Sequence, residues 1–275
     1  MSLKIMVDSS SGISVGEGKE IGVDVFPLKI AFGEQEYADG VDLTLENFYD
    51  RLLNGKEFPK TSLPNLYAIE KQIARYKEEG HTVLILPLAK ELSGTYAALK
   101  EFEKESQVRV VDTRTTIGGL RILVEEAKKR ESLPLEDLVH HLEALGNRIR
   151  ILAGIDTLEY LYKGGRLSKT ASLVGEFIGL KPIITVTDGR VVLLSKKHGK
   201  KKAMRSIADC LNEAVIDEGF PIYGIYSYDA ENVRILEGMI DEKRQKQIAR
   251  MENIAPVIAS HVGPYAYGFV YVERE

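Results

Sequence analysis

Four short stretches of this 275-residue chain carry side chains that could bind or transform a ligand. They are Asp8-Ser9-Ser10-Ser11-Gly12, Thr61-Ser62, Ser93-Gly94-Thr95, and His261 at the head of HVGPYAYG. Hydroxyls beside the free N–H groups of a helix start suit an anion, either a carboxylate or a phosphate. An imidazole adds a group whose charge changes near neutral pH. The same residue types also allow a nucleophilic pair, with Ser93 attacking and His261 as base. Ser93, however, lies in Leu-Ser-Gly-Thr and not in a G-x-S-x-G elbow. No acidic residue beside His261 in the sequence offers to orient the ring. Each hydroxyl also has a plainer use: Ser93 and Thr95 are common helix caps, and the serines at 9–11 suit a tight turn.

The elements that must position these groups follow from the hydrophobic pattern. Leu3 to Val7, His81 to Leu88 and Val108 to Val111 are short apolar runs of the kind buried in a parallel sheet. Helical patterns follow at 66–79, after Ser93, at 116–130 and at 135–147. Strand–loop–helix repetition predicts a doubly wound arrangement with its loops on one rim. Val23 to Phe32 contains Pro27 and therefore predicts an edge strand or two short strands. Gly33 and EQEYADG predict a hairpin, and Asp42 or Thr44 caps a helix that ends near Leu53. In FPKTSLPN, two prolines bracket Thr61 and Ser62 in a stiffened loop. Gly263-Pro264 forces a turn, which places His261 on irregular backbone.

Beyond residue 148 the pattern changes. A strand at 149–157 leads to a short helix ended by Gly164-Gly165, a small-residue helix over 168–180, and two strands joined by Thr187-Asp188-Gly189-Arg190. A basic-headed helix at 200–218, a strand at 222–227, a helix at 231–242 and strands at 247–251 and 267–272 complete a mixed sheet covered on one face. The expectation is an α/β protein of two domains. Residues 1–148 form a three-layer α/β/α unit with a mainly parallel sheet, and residues 149–275 a two-layer unit with a mixed sheet.

Composition narrows the function classes. The chain has 37 Lys and Arg against 41 Asp and Glu, a net charge of −4, so no overall basic field suggests nucleic acid. Cys210, the single cysteine, excludes an internal disulfide framework and falls on the expected buried face of its helix. The five histidines lack metal-ligand spacing, and no cofactor motif is present. No apolar run approaches the ~20 residues of a membrane span, and the N-terminus lacks a signal-peptide profile, which together predict a cytoplasmic protein. The run His198-Gly199-Lys200-Lys201-Lys202 puts positive charge at a helix N-terminus, against the macrodipole. Transient contact with an anionic membrane surface would account for it.

In this order and spacing, several motifs resemble the DegV family of bacterial fatty-acid-binding proteins. They are DSSSG, KTSLPN at 60–65, LSGTYAA at 92–98, VDTRTTIGG at 111–119, LEYLYKGGRLS at 158–168, LKPIITVTDGRV at 180–191 and HVGPYAYG. The resemblance covers nearly the whole chain. It implies two α/β domains, similar in fold to one domain of dihydroxyacetone kinases, with a long-chain fatty acid buried between them. It further implies that Thr61, Ser93 and His261 hold the carboxylate, supported by the loops of Ser62, Gly94, Thr95 and Gly263. By the same resemblance Arg166 is exposed at the headgroup mouth for partner docking. Some members are the binding subunit of a fatty acid kinase whose ATP-binding partner phosphorylates the carboxylate, so this chain would be a carrier and not the catalyst. Two positions depart from the family pattern: Tyr265 stands where Gly is common, and Lys stands in HGKKK where an arginine would dock a partner.

Overall fold

The computed structural model describes residues 2–55, 57–104, 107–167 and 179–275. Strands β1 (Leu3–Asp8), β2 (Val23–Phe26), β3 (Lys29–Phe32), β4 (Gln35–Ala38), β5 (Lys60–Ser62), β6 (Thr82–Leu86) and β7 (Val108–Val110) belong to the first half. The second half contributes β8 (Ile149–Gly154), β9 (Leu180–Thr187), β10 (Arg190–His198), β11 (Ile222–Tyr226), β12 (Ile248–Asn253) and β13 (Tyr267–Val272). They form three sheets: a parallel one ordered β2-β1-β6-β7, a small antiparallel one ordered β4-β3-β5, and a mixed one ordered β10-β9-β8-β13-β11-β12.

Alternation along the strands sets the layers, because successive side chains leave a strand on opposite faces. Met6, Val83, Ile85, Val108 and Val110 pack on one face of the parallel sheet with Ile69, Ile73 and Tyr76 of the helix Leu66–Glu78 and Leu99 of Thr95–Lys100. Ile5, Val7, Leu84 and Leu86 leave on the other face, toward the helix Gly118–Lys129. The α/β/α layering expected for this half is therefore present. Pro27 ends β2 and the chain switches sheets before β3, so Val23 to Phe32 makes two short strands.

The mixed sheet is apolar on both faces. Leu152, Ile183, Tyr267 and Phe269 face Ala203, Met204, Ile207 and Leu211 of the helix Lys200–Glu213. Ile151, Ala153, Ile184, Val186 and Ile225 belong instead to the core cluster shared with the first half. Asp188 and Gly189 both have positive φ, the requirement of a type I′ hairpin between β9 and β10.

Three expectations change. Lys60–Ser62 is a strand paired with β3, Ile30 opposite Thr61, so backbone hydrogen bonds as well as the prolines fix this stretch. The helix expected over 231–242 ends at Glu237, and a second helix spans Glu242–Gln247. Cys210 is exposed, because it lies one residue short of Leu211 in the buried stripe and one residue turns a helix by ~100°. The helix expected over 168–180 falls almost entirely outside the described residues.

A buried ionic cluster ties the two halves. Arg121, from the helix Gly118–Lys129, is 3% exposed and lies 2.6 Å from Glu17 and 2.5 Å from Glu252 of β12. Arg250 bonds Glu17 at 3.1 Å, giving two cations for two carboxylates. Burial pushes the Glu252 carboxyl up to about 7, while the guanidinium of Arg121 draws Glu17 down to about 2. Removing one partner strands a buried charge, whereas replacing the pair by apolar groups does not. Arg121→Ala should therefore cost about 3–5 kcal/mol in urea unfolding, and Arg121→Met with Glu252→Leu should cost clearly less. Urea midpoints of the two variants check this.

Candidate functional site

A cavity of about 270 Å³ lies between the inner face of the mixed sheet and the first half. Strand register builds its floor. Ile225, Gly268, Ala153 and Ile184 stand opposite one another across β11, β13, β8 and β9, and Tyr223, Val270, Ile151, Val186 and Val191 form the next row. Ile151, Ala153, Ile184, Val186, Val191 and Ile225 of these rows line the cavity. Leu28, Leu88 and Ile117 from the first half, with Val257 and Ile258 of the last helix and Ile254 just before it, close it. Sequence reasoning marked these strands as buried but not as a ligand wall, since a core residue and a cavity-lining residue look alike in a hydrophobic pattern.

Thr61, Ser62, Ser93, Gly94, Arg166 and His261 line the same cavity and supply its polar part. Thr61 comes from β5 and Ser93 from the turn after β6. His261 lies in the last turn of the helix Pro256–Val262, not in the turn itself, and Gly263, at φ 78°, caps that helix. Thr61 Oγ1 and His261 Nε2 are 2.9 Å apart, a bond between residues 200 positions apart in the chain. Burial, reinforced by the Arg166 cation, lowers the imidazole to about 4, so the ring is neutral around pH 7. His261 Nδ1 is buried without a hydrogen-bond partner among the described residues.

Ser93 Oγ accepts from the Thr95 N–H at 3.2 Å and lies 2.9 Å from Thr95 Oγ1. The serine thus stiffens its own turn while still lining the cavity. Thr95 is fully buried and Gly263 packs against Tyr160, and neither lines the cavity. Arg166 is half-buried rather than exposed. Its Nε donates to the Leu92 carbonyl at 3.0 Å and a terminal nitrogen donates to the Gly164 carbonyl. An arginine so tethered is drawn inward by a carbonyl two residues back and by one 74 positions away that the sequence could not place near it.

The Asp8–Gly12 loop does not reach the cavity. Ser9 donates to Asp39 at 2.7 Å and accepts from the Leu28 N–H, Ser10 accepts from Thr116, and Ser11 accepts from the Ile13 N–H. Its hydroxyls serve the fold, which is the plainer of the two uses open to them. Burial raises Asp8 to about 6 and Asp39 to about 7. Thr116 Oγ1 carries this polar knot to the cavity edge, beside Ile117. Ile117 has φ 46°, an uncommon conformation for a β-branched residue, and this directs a large apolar side chain into the cavity wall.

No group of three or more His, Cys, Asp or Glu residues suited to a metal ion is present among the described residues. No helix among them is long and apolar enough to cross a membrane. In chemical terms the site is an apolar chamber with the hydroxyls of Thr61, Ser62 and Ser93, an imidazole and a guanidinium at one part of its wall. It suits an amphiphile with a small polar or anionic head.

Comparison with known proteins agrees with that character. A DegV domain-containing protein from Caldanaerobacter subterraneus subsp. tengcongensis is 30% identical over 280 residues, 99% of each chain. A protein of Thermotoga maritima named as a fatty acid-binding protein is 29% identical, covering 98% of this chain and 97% of its own. Among solved structures, a fatty acid binding DegV family protein from Streptococcus agalactiae matches with a TM-score of 0.88 at 26% identity over the full length of both chains. A stearic acid-binding protein from Eubacterium ventriosum matches with a TM-score of 0.86 at 26% identity over 98% of each. The profile of the DegV family, described as an uncharacterised protein family, matches residues 2–274, and the chain belongs to that family.

Proposed function

We propose that this protein binds a long-chain fatty acid between two domains, residues 1–148 and 149–275, and holds its carboxylate with Thr61, Ser93 and His261. The observation that carries the reading is the joining of an apolar chamber to a hydroxyl–imidazole pair across the two halves. A carboxylate taken out of water needs hydrogen bonds or a positive partner, and this part of the wall offers both. Each buried methylene contributes roughly 0.8 kcal/mol, so a sixteen-carbon tail contributes about 10 kcal/mol before ordering costs. The tail supplies affinity, and the head sets orientation.

The chain acts as a carrier, and an ATP-binding kinase subunit phosphorylates the presented carboxylate. The hydrolase reading has less support. His261 Nε2 is engaged by Thr61, Ser93 is bonded to Thr95, and Nδ1 meets no carboxylate among the described residues that could orient the ring. Lys200, Lys201 and Lys202 are exposed at their helix start and meet anionic membrane during lipid exchange. Liposome co-sedimentation should weaken when all three become Gln, and unchanged binding would remove this role.

Protein purified from bacteria should carry an adduct of fatty acid mass in native mass spectrometry, lost on organic extraction. A clean apo mass together with no uptake of palmitate or oleate would refute the binding role. Ser93→Ala removes one hydrogen bond to a charged acceptor, worth roughly 1.5–3 kcal/mol, so palmitate should bind about 10- to 100-fold more weakly. Hexadecanol affinity should hardly change. Equal losses for acid and alcohol would leave Ser93 only its place in the Thr95 turn. Combined with His261→Ala the loss should be less than additive, because both groups serve one acceptor.

With a compatible kinase subunit, ATP and palmitate, the protein should yield an acyl-phosphate trapped by hydroxylamine. The isolated chain should form none. ATP-dependent product from the chain alone would overturn the carrier role.

A further inference from the structure

The two glycines of Lys163-Gly164-Gly165-Arg166 differ in what they require. Gly165 has φ 70° with no atom of the described residues within 4 Å of an added Cβ, so its backbone asks for glycine and these surroundings do not. Gly164 has φ −75° and ψ −9°, open to any residue. Its surroundings are closed. A Cβ there would overlap His261 Nδ1 and come within 2.9 Å of Cε1. Gly164 is thus the flat surface against which the imidazole rests while Nε2 meets Thr61.

Neighbours of Gly164 reach the other two headgroup loops. Tyr160 stacks on Phe58, three residues before Thr61, with ring centroids 5.3 Å apart. On its other side the same ring fills the space a side chain at Gly263 would need, with Cδ2 only 2.5 Å from an added Cβ. Arg166 ties Gly164 to the carbonyl of Leu92, the residue before Ser93. One short segment therefore touches the carriers of all three groups.

We propose that Tyr160, Gly164 and Arg166 form a template that sets the spacing of Thr61, Ser93 and His261, with Gly164 as the positioning residue for the imidazole. Its effect on ligand choice rests on the carboxylate reading above, while the template itself does not. Gly164→Ala forces the ring out of its present place against Thr61 without adding or removing a polar group. Loss of Arg166 loosens the Ser93 turn.

The test is a double-mutant cycle on the full chain, with Gly164→Ala, His261→Ala and the pair melted without ligand. Overpacking against the ring should lower the Tm of Gly164→Ala by about 2–10 °C. In the His261→Ala background the same change should cost clearly less, about 1 °C, because the overlap with the ring is gone and only a 3.0 Å approach to the Tyr160 carbonyl remains. The ¹⁵N signals of the His261 imidazole should move in Gly164→Ala, palmitate affinity should fall about tenfold or more, and hexadecanol affinity should stay within about twofold. Arg166→Gln should raise amide exchange at 93–95 and cut the same preference for acid over alcohol. Equal Tm losses in both backgrounds overturn the proposal, as do unmoved imidazole signals. Should Gly164→Ala fail to fold, rescue by His261→Ala supports the template and failure of the pair to fold overturns it. If the thermal cycle and the imidazole signals behave as expected but acid and alcohol weaken alike, the template stands and the carboxylate reading fails.

Discussion

A sheet that is apolar on both faces must be covered on both. The helices Lys200–Glu213 and Glu231–Glu237 cover one face of the mixed sheet. The other face leaves water by meeting the first half of the chain together with the helix Pro256–Val262, all within one shared core cluster. The covering is incomplete, because two sheets and their helices do not match in shape along the whole contact. What is left over is the cavity. Its position follows from the need to bury that face, and its apolar wall from the strand register that lines up Ile151 with Val186 and Ala153 with Ile184.

Polar groups at such a contact are costly unless paired, and the pairing differs from one edge to the other. Around Arg121 two cations and two carboxylates neutralise each other and fix the halves together. Beneath Ile117 the serine loop and Asp39 satisfy one another within the first half. Around His261, by contrast, a cluster of polar groups turns toward the cavity. There the neutral imidazole and its Thr61 partner keep hydrogen-bonding capacity without a fixed pair of opposite charges. Such a wall can accept a head that arrives with its own charge.

Backbone strain gathers at the same places. Ile117 at the cavity wall has positive φ, and so do Tyr228 and Tyr265, whose rings meet edge to face 5.2 Å apart. Ser227 joins the two tyrosine-bearing loops, donating to the Gly263 carbonyl and accepting from the Ala266 N–H. The hydrogen bonds and the ring contact hold a turn in which Tyr265 occupies backbone space better suited to glycine.

Much of this was legible in the order of residues. Periods of two and of 3.6 marked most strands and helices, Asp188-Gly189 marked its hairpin, and the motif series marked the family, because each depends on neighbours in the chain. Local pattern also brought out Thr61, Ser93 and His261 as candidates, though with a loop for Thr61 and a turn for His261. Contacts between distant segments decided the rest. β5 became a strand because β3 offered it an edge, Arg166 turned inward because the Leu92 carbonyl lay within reach, and Ser9 and Ser10 left the candidate site because Asp39, Leu28 and Thr116 took up their hydroxyls. Which hydroxyl faces a ligand and which serves the fold depends on partners tens to hundreds of residues away, and only the packed chain brings those partners within hydrogen-bond distance.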